Sequence, residues 1–167
     1  MQKQIFVIFF FLVGMASCHS EPEKASTDII PIQGLWQLHI MEIKDSLNQW
    51  QEWRDGMGGY LMYDNDNHVA LHLFSKGYEN YTPHFPNFTD SIPIEALQHI
   101  TNNYNYMGTY QLDSTNTIVT HKRLSHSNPR DWGLEVQRRF HFIGDTLVMQ
   151  PVETENASLR LKWLKAD

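Results

Sequence analysis

Apolar and polar residues alternate in eight strand-length runs that follow one another from residue 35 to residue 163. Successive side chains of a strand point to opposite faces of its sheet, so this alternation indicates strands with one buried and one exposed face. Eight such strands in succession favour an antiparallel β-barrel or a β-sandwich. The predicted strands span residues 35–44, 60–63, 68–74, 109–112, 117–124, 134–142, 146–150 and 159–163.

Short polar clusters separate several of these runs and predict hairpin turns. The clusters are Asp-Asn-Asp-Asn at residues 64–67, Asp-Ser-Thr-Asn at residues 113–116, and Gly144-Asp145. Asn, Asp and Gly tolerate the left-handed backbone that tight turns need. The two strands on either side of each cluster are therefore expected to pair with each other in antiparallel fashion.

The long connection after the third run breaks the alternation and predicts one helix. A capping serine, a proline and a glutamate at residues 91–95 mark a helix start. Leu97, Ile100 and Tyr104 follow at helical spacing, so we expect an amphipathic helix near residues 91–105 whose apolar side plugs or covers the β structure. Such a long connection is either functional or a simple cover for an open barrel end, and the sequence leaves both open.

The N-terminus carries an export signal of the kind that is removed from the mature protein. One positive charge, Lys3, precedes an apolar run over residues 5–13, and small residues then lead to Cys18. A helix that spans a bilayer needs about 20 apolar residues, so this run is too short to remain as a membrane span. We expect residues 1–17 to be cleaved as a signal peptide.

Ala16-Ser17-Cys18 resembles the bacterial lipobox, at which lipoproteins are acylated and cleaved. The resemblance implies that Cys18 becomes the lipidated N-terminus, and two or more acyl chains would anchor it stably to a membrane. Residues 18–33 are polar and aperiodic, so we expect a flexible tether, followed by one domain over residues 34–167. The implied location is the bacterial cell envelope, with the protein anchored to the outer membrane in a leaflet that the sequence leaves open.

The charge balance argues against partners that are held by basic surfaces. The chain has 19 acidic and 13 basic residues, and loss of a signal peptide that contains Lys3 would make it more acidic still. Nucleic acids and anionic lipid head groups are bound largely through Lys and Arg, so neither is expected as a partner. Cys18 is the only cysteine of the sequence, so the domain is expected to fold without a disulfide.

Four short motifs occur along the chain in an order that is typical of one family. They are Gly34-Leu35-Trp36, residues 59–63 with Asp66 and His68, residues 107–110 with 119–121, and residues 132–133 with 138–140 and 144–147. Together they resemble the lipocalin-like (calycin-type) domain family. The resemblance implies an eight-stranded up-and-down barrel whose interior is either filled by side chains or wide enough for one small ligand. It also implies that Trp36 packs against a basic residue near the end of the barrel, either Arg160 or Lys162.

His121 and Arg138 are expected to point into the barrel, because each shares a strand face with apolar residues that must be buried. A buried Arg charge needs an acid, carbonyl groups or an anionic ligand. The two side chains therefore either grip the carboxylate or carbonyl of a ligand or belong to an internal network with Glu135, Tyr110 or backbone groups. The two predicted inner faces are Val119, His121, Arg123 and Ser125 on one strand and Val136, Arg138, Phe140 and Phe142 on the next.

Several more side chains are candidate ligand contacts, and each has core packing as its alternative. The sequence shows no zinc-type cluster, no phosphate-binding loop and no nucleophile motif, so neither a metal nor a cofactor is expected. The additional candidates are Arg123, Tyr110, Tyr63, Trp36 and Trp163.

Three functions fit the sequence. The leading one is a membrane-tethered carrier or sensor that binds a small, mostly apolar or amphipathic ligand with a polar head, through His121 and Arg138. The second is an isomerase or cyclase inside the barrel, with His121 as general acid or base and Arg138 as oxyanion stabiliser, which a tyrosine or carboxylate that orients His121 would support. The third is a filled barrel that acts through an exposed aromatic patch formed by Trp50, Trp53, Tyr78 and Tyr81.

Overall fold

The computed structural model describes residues 32–81, 91–154 and 157–166. Within these ranges the fold consists of nine antiparallel strands, one α-helix and two short 3₁₀ turns. The helix α1 (Ile94–Thr101) lies between the fourth and fifth strands. The strands are β1 (Gly34–Lys44), β2 (Trp50–Glu52), β3 (Met57–Tyr63), β4 (His68–Ser75), β5 (Tyr104–Leu112), β6 (Ile118–His126), β7 (Glu135–Ile143), β8 (Thr146–Pro151) and β9 (Leu159–Lys165).

The strands close into a barrel. From β3 onward each strand pairs antiparallel with the next one along the chain, β3 pairs back onto β1, and β9 pairs with β1 to complete the ring. All eight strands that alternation predicts are present. The predicted eight-stranded antiparallel barrel with one helix in its long connection is therefore confirmed.

The extra strand, β2, belongs with β3 to one interrupted strand of the barrel. Both pair with β1, Glu52 lying opposite Glu42 and Tyr60 opposite Gln37. Eight positions separate Glu52 from Tyr60, whereas five separate their partners on β1, so three extra residues bulge out between β2 and β3. Trp53 lies in this interruption, which we call the β2–β3 bulge (residues 53–56).

Ile32 and Trp36 close one end of the barrel. Both side chains are buried, and the indole Nε1 of Trp36 donates to the carbonyl oxygen of Ile32 at 2.7 Å. Since Ile32 lies in the stretch that the sequence indicates as a tether, the packed part of the chain reaches at least to this residue. We call this the closed end of the barrel.

The basic residue over Trp36 is Lys165, whose Nζ lies 5.4 Å from the centre of the indole ring. The register of β1 and β9 places Trp36 opposite Lys165. Arg160 and Lys162 lie further along β9, where both form ion pairs with Glu42. The prediction that Arg160 or Lys162 packs on Trp36 is therefore wrong, because strand register decides which basic residue reaches the ring.

Helix α1 is shorter than predicted and exposes its apolar side. It ends at Thr101, and Tyr104 instead begins β5 and packs against the core. Ile94, Leu97 and Ile100 are 69%, 42% and 49% exposed, so the expected packing of this stripe on the β structure is not found. Within the described residues, no helix combines the length and the apolar character that crossing a bilayer requires.

Candidate functional site

His121 lies in the middle of the barrel between two tyrosines. The residue is 1% exposed, its Nε2 lies 2.7 Å from the hydroxyl of Tyr63, and its Nδ1 lies 2.6 Å from the hydroxyl of Tyr106. Burial, reinforced by the positive charges of Arg138 and Arg123, lowers the pKa of His121 to about 3. The imidazole is therefore neutral near pH 7, and it accepts a hydrogen bond from one tyrosine while it donates to the other.

The two tyrosines bear directly on the hypothesis of an enzyme. Burial raises the pKa of both Tyr63 and Tyr106, so both hydroxyls keep their protons. The hypothesis requires a tyrosine or a carboxylate that orients His121, and the structure provides two tyrosines. These tyrosines engage both ring nitrogens, however, so neither nitrogen is left to exchange a proton with a substrate. We call these three residues the His121 network.

Arg138 has a carboxylate of the protein as its partner. It pairs across the strands with the fully buried Val119, which places both side chains on the inner face. Its Nη1 lies 2.9 Å from Oε2 of Glu153 and also donates to the carbonyl oxygen of Gln137 at 2.8 Å. The acid in this internal pair is thus Glu153, beyond the end of β8, and not Glu135.

The predicted aromatic wall residues all belong to the buried core of the barrel. Trp36, Tyr63, Tyr110 and Trp163 are each at most 2% exposed and pack in one cluster. Tyr110 meets Tyr63 edge-on with ring centres 4.9 Å apart, and its hydroxyl donates to the carbonyl oxygen of Asp64 at 3.0 Å. These rings fill the barrel from the closed end, where Trp36 lies, up to the His121 network, to which Tyr63 belongs.

Arg123, in contrast, is buried but incompletely paired. The residue is 5% exposed, its Nη2 donates to the hydroxyl of Tyr104 at 2.8 Å, and its Nη1 lies 3.6 Å from Oδ1 of Asp131. Its guanidinium lies over the rings of Tyr104 and Tyr106, at 5.8 and 5.3 Å from their centres. The Nε–H of Arg123 is buried and has no hydrogen-bond partner among the described residues.

His126 joins Arg123 on the inner face, a position that alternation did not predict. Met107 of β5 lies opposite Ser125 of β6, whereas the next residue, Gly108, lies opposite Arg123. The register therefore shifts at this point, and β6 carries one extra residue in a β-bulge. The bulge reverses the alternation beyond it, and His126 is 5% exposed whereas Ser125 is only half-buried. The prediction that Ser125 shares the inner face of Arg123 is therefore wrong.

One sequence signal for this bulge is a glycine on the partner strand. A Cβ on Gly108 would lie 1.9 Å from the carbonyl oxygen of Lys122, so only a residue without a side chain fits opposite the bulge. Gly108 stands in the middle of an otherwise regular strand of large residues. Such an isolated glycine is typical of a bulge or of a close backbone approach.

An open cleft of about 920 Å³ lies at the end of the barrel opposite Trp36. It is framed by the β2–β3 bulge, the end of α1, the start of β5 and the β6–β7 turn, and residues 53–57, 75–76, 100–104 and 127–129 line it. Tyr104 belongs both to the wall of this cleft and to the contact with Arg123. A smaller recess of about 390 Å³ beside β1 and β3 shares Trp53, Gly56 and Met57 with the cleft.

The four aromatic residues of the surface hypothesis do not form one exposed patch. Trp50 is half-buried, with the charged ends of Lys44 and Arg160 5.2 and 4.4 Å from its ring. Tyr78 and Tyr81 are half-buried against His99, at 5.4 and 4.2 Å between ring centres. Of the four, Trp53 alone is exposed, at 38%. This removes the observation that would have favoured a surface module.

Comparisons with known proteins identify the domain. A family model described as a lipocalin-like domain matches residues 33–165 of the chain. No curated protein matches the chain. Among solved structures, a redesigned β-barrel is similar with a TM-score of 0.40 and 8% sequence identity, over 82% of this chain and 93% of that chain. The family match spans the whole barrel.

Proposed function

Because the chain belongs to the lipocalin-like domain family, we propose that it is an envelope lipoprotein that binds one small amphipathic molecule at the open end of its barrel. Cys18 would carry the membrane anchor, and residues 19–31 would tether the barrel to it. These residues lie outside the described ranges, so this part of the proposal rests on the sequence motif alone.

The observation that carries the proposal is the cleft of about 920 Å³ that reaches Tyr104, the hydrogen-bond partner of Arg123. Pockets for small molecules typically measure about 300–1,000 Å³ and combine apolar walls with a few fixed polar groups. In this cleft Trp53, Met57 and Ile100 supply apolar surface. The cleft thus has the size and the mixed character that an amphipathic ligand needs.

The depth to which a ligand enters follows from what already fills the barrel. Below the cleft the His121 network is fully buried and hydrogen-bonded within itself, and Arg138 is held by Glu153. Arg123 is the buried cation whose hydrogen bonds are incomplete. We therefore expect the polar head of the ligand to stop at Arg123, which takes the role that the sequence suggested for His121 and Arg138.

Native mass spectrometry of the protein isolated from its own cells tests the proposal. We expect a small molecule that stays bound in the native spectrum and dissociates on denaturation. Asn102→Trp, which fills the cleft, should lower the bound fraction several-fold. Asn65→Trp, an equal change in the exposed β3–β4 turn at the closed end, is the matched control and should leave it unchanged. A spectrum of bare protein for the parent chain would contradict the proposal.

A further inference from the structure

Exposed apolar side chains stand on three separate connections at the open end of the barrel. They are between 38% and 69% exposed, and two of them are tryptophans. Single apolar residues scattered over a surface are normal, whereas a group of them at one place indicates an interaction site. We call this group the apolar rim: Trp53 of the β2–β3 bulge, Ile94, Leu97 and Ile100 of α1, and Trp132 and Leu134 of the β6–β7 turn.

The apolar rim belongs to the mouth of the cleft. Trp53 and Ile100 line the cleft themselves, and Leu97 lies one helical turn before Ile100. Pro129 of the β6–β7 turn also lines the cleft, and its carbonyl oxygen accepts from the backbone N–H of Trp132 at 3.3 Å. Three of the four elements that frame the cleft thus present apolar side chains to the outside.

The chain enters the barrel at the opposite end. Ile32 and Trp36 seal the closed end, and residues 19–31 separate Ile32 from Cys18 in the sequence. A flexible segment of this length reaches roughly 20 Å, so an anchor on Cys18 would hold the closed end near its own membrane. The apolar rim lies at the end that is remote from this attachment point, where it can meet a second surface.

We propose that the apolar rim docks the open end of the barrel on the surface of a lipid bilayer other than the one that holds the anchor. The inference rests on the proposed binding of an amphipathic ligand. Such ligands reside in bilayers with their polar heads at the surface, so the head would enter a docked cleft first, as the expected orientation requires. Tryptophan and aliphatic side chains are the groups that proteins insert at the bilayer boundary.

The charges of the open end favour an uncharged bilayer surface. Arg54 and Lys76 in the cleft lining are offset by Asp55 there and by Glu95 on α1, and the whole chain has a net charge of −6. Anionic head groups are recognised by clusters of Lys and Arg, which the described lining of the cleft lacks. We therefore expect docking to depend on apolar contact and to be insensitive to salt.

Tryptophan quenching by vesicles of brominated phosphatidylcholine tests this inference, because bromine quenches an indole on contact. The mature protein is held by its acyl groups in plain phosphatidylcholine vesicles before the brominated vesicles are added, and a mature protein without acyl groups is titrated directly. We expect a saturable loss of fluorescence, reported by Trp53 and Trp132, that high salt leaves unchanged. Leu97→Glu and Leu134→Glu should each weaken the binding about tenfold, since a charge replaces an inserted apolar group.

The matched control is Leu35→Glu, the same substitution at a leucine of the closed end that is 43% exposed, against 42% for Leu97. It should bind the vesicles as the parent protein does. No quenching of the parent protein, or equal weakening by Leu35→Glu and Leu97→Glu, would overturn docking through the apolar rim, while a ligand in the native mass spectrum would still uphold the proposed function. Clustering of the protein-bearing vesicles before the brominated ones are added would identify a second copy of the chain as the partner of the rim and would also overturn the inference.

Discussion

At the scale of single residues, the most constrained group of the barrel is the imidazole of His121, which forms hydrogen bonds with the hydroxyls of two tyrosines. His121 is hydrogen-bonded to Tyr63 at 2.7 Å and to Tyr106 at 2.6 Å, and all three side chains are buried. A buried hydroxyl that loses its partner costs roughly 1–3 kcal/mol. Part of the stability of this barrel therefore comes from a polar side chain that is packed among aromatic and aliphatic residues.

His121→Phe should lower the free energy of unfolding by about 2–4 kcal/mol, because both hydroxyls lose their partner while the volume is nearly kept. Urea unfolding monitored by circular dichroism measures the loss. His141→Phe, on the exposed outer face of β7, is the control and should change the free energy by no more than about 0.5 kcal/mol. Equal effects of the two substitutions would show that the network contributes no stability.

The same histidine predicts how stability depends on pH. Its pKa is about 3 in the folded protein and rises to its usual value of 6.5 when the chain unfolds, so between these values the unfolded chain binds more protons. The contribution of His121 to the free energy of unfolding is therefore fully present above pH 6.5. It falls as the pH decreases below this value, by up to about 1.4 kcal/mol per pH unit. His126, whose pKa is also lowered in the folded protein, acts in the same direction.

Unfolding free energies measured from pH 7 to pH 5 test this dependence. His121→Phe removes the main titrating group and should make the slope clearly shallower, with the remainder due to His126. An unchanged slope in this variant would mean that the imidazole is accessible to protons in the folded state.

At the scale of secondary-structure elements, two irregularities shape the open end. The β2–β3 bulge places Trp53 at the rim of the cleft, and the β-bulge in β6 turns His126 inward beside Arg123. Regular alternation in both strands would give a smoother barrel whose open end lacks these side chains. β-Bulges commonly re-aim side chains in this way next to functional sites.

Gly108→Ala should lower the free energy of unfolding by more than about 2 kcal/mol, because the new Cβ would meet the carbonyl oxygen of Lys122 at 1.9 Å. Thermal and urea unfolding measure the effect. Gly144→Ala is the control: its backbone φ is +56° but nothing lies within 4 Å, so only the left-handed backbone costs energy, about 1 kcal/mol. A smaller loss at Gly108 than at Gly144 would argue against the tight bulge.

At the scale of the whole molecule, the two ends of the barrel differ in kind. The closed end is sealed by Ile32 and Trp36, close to where the chain enters from the expected tether. The open end carries the cleft, the exposed stripe of α1 and the incompletely paired Arg123. Any tether that precedes Ile32 would thus attach at the end remote from the cleft, which leaves the proposed binding site accessible.

The proposed anchor gives a prediction for the intact protein. In a bacterial host that processes lipoproteins, Cys18→Ala should move the protein from the membrane fraction to the soluble fraction or leave it unprocessed, because acylation requires the thiol. Cell fractionation and the mass of the N-terminal peptide measure this. Ser20→Ala, a neighbouring change that keeps the cysteine, should remain membrane-bound and acylated. An N-terminal peptide of the parent protein without acyl mass would refute the anchor.

The sequence by itself determined eight of the nine strands, their order and most of their inner faces, since period-two alternation is a local property that each strand carries within itself. It also identified His121, Arg123 and Arg138 as inward-pointing polar groups on β6 and β7. Tertiary structure alone decided which partners these groups have. Tyr63 meets His121 across the barrel from 58 positions away, and the bulge that brings His126 to Arg123 depends on the register between β5 and β6. Register and cross-barrel contacts arise only when distant segments pack together, so alternation within a strand does not specify them, although Gly108 marks the place of the bulge.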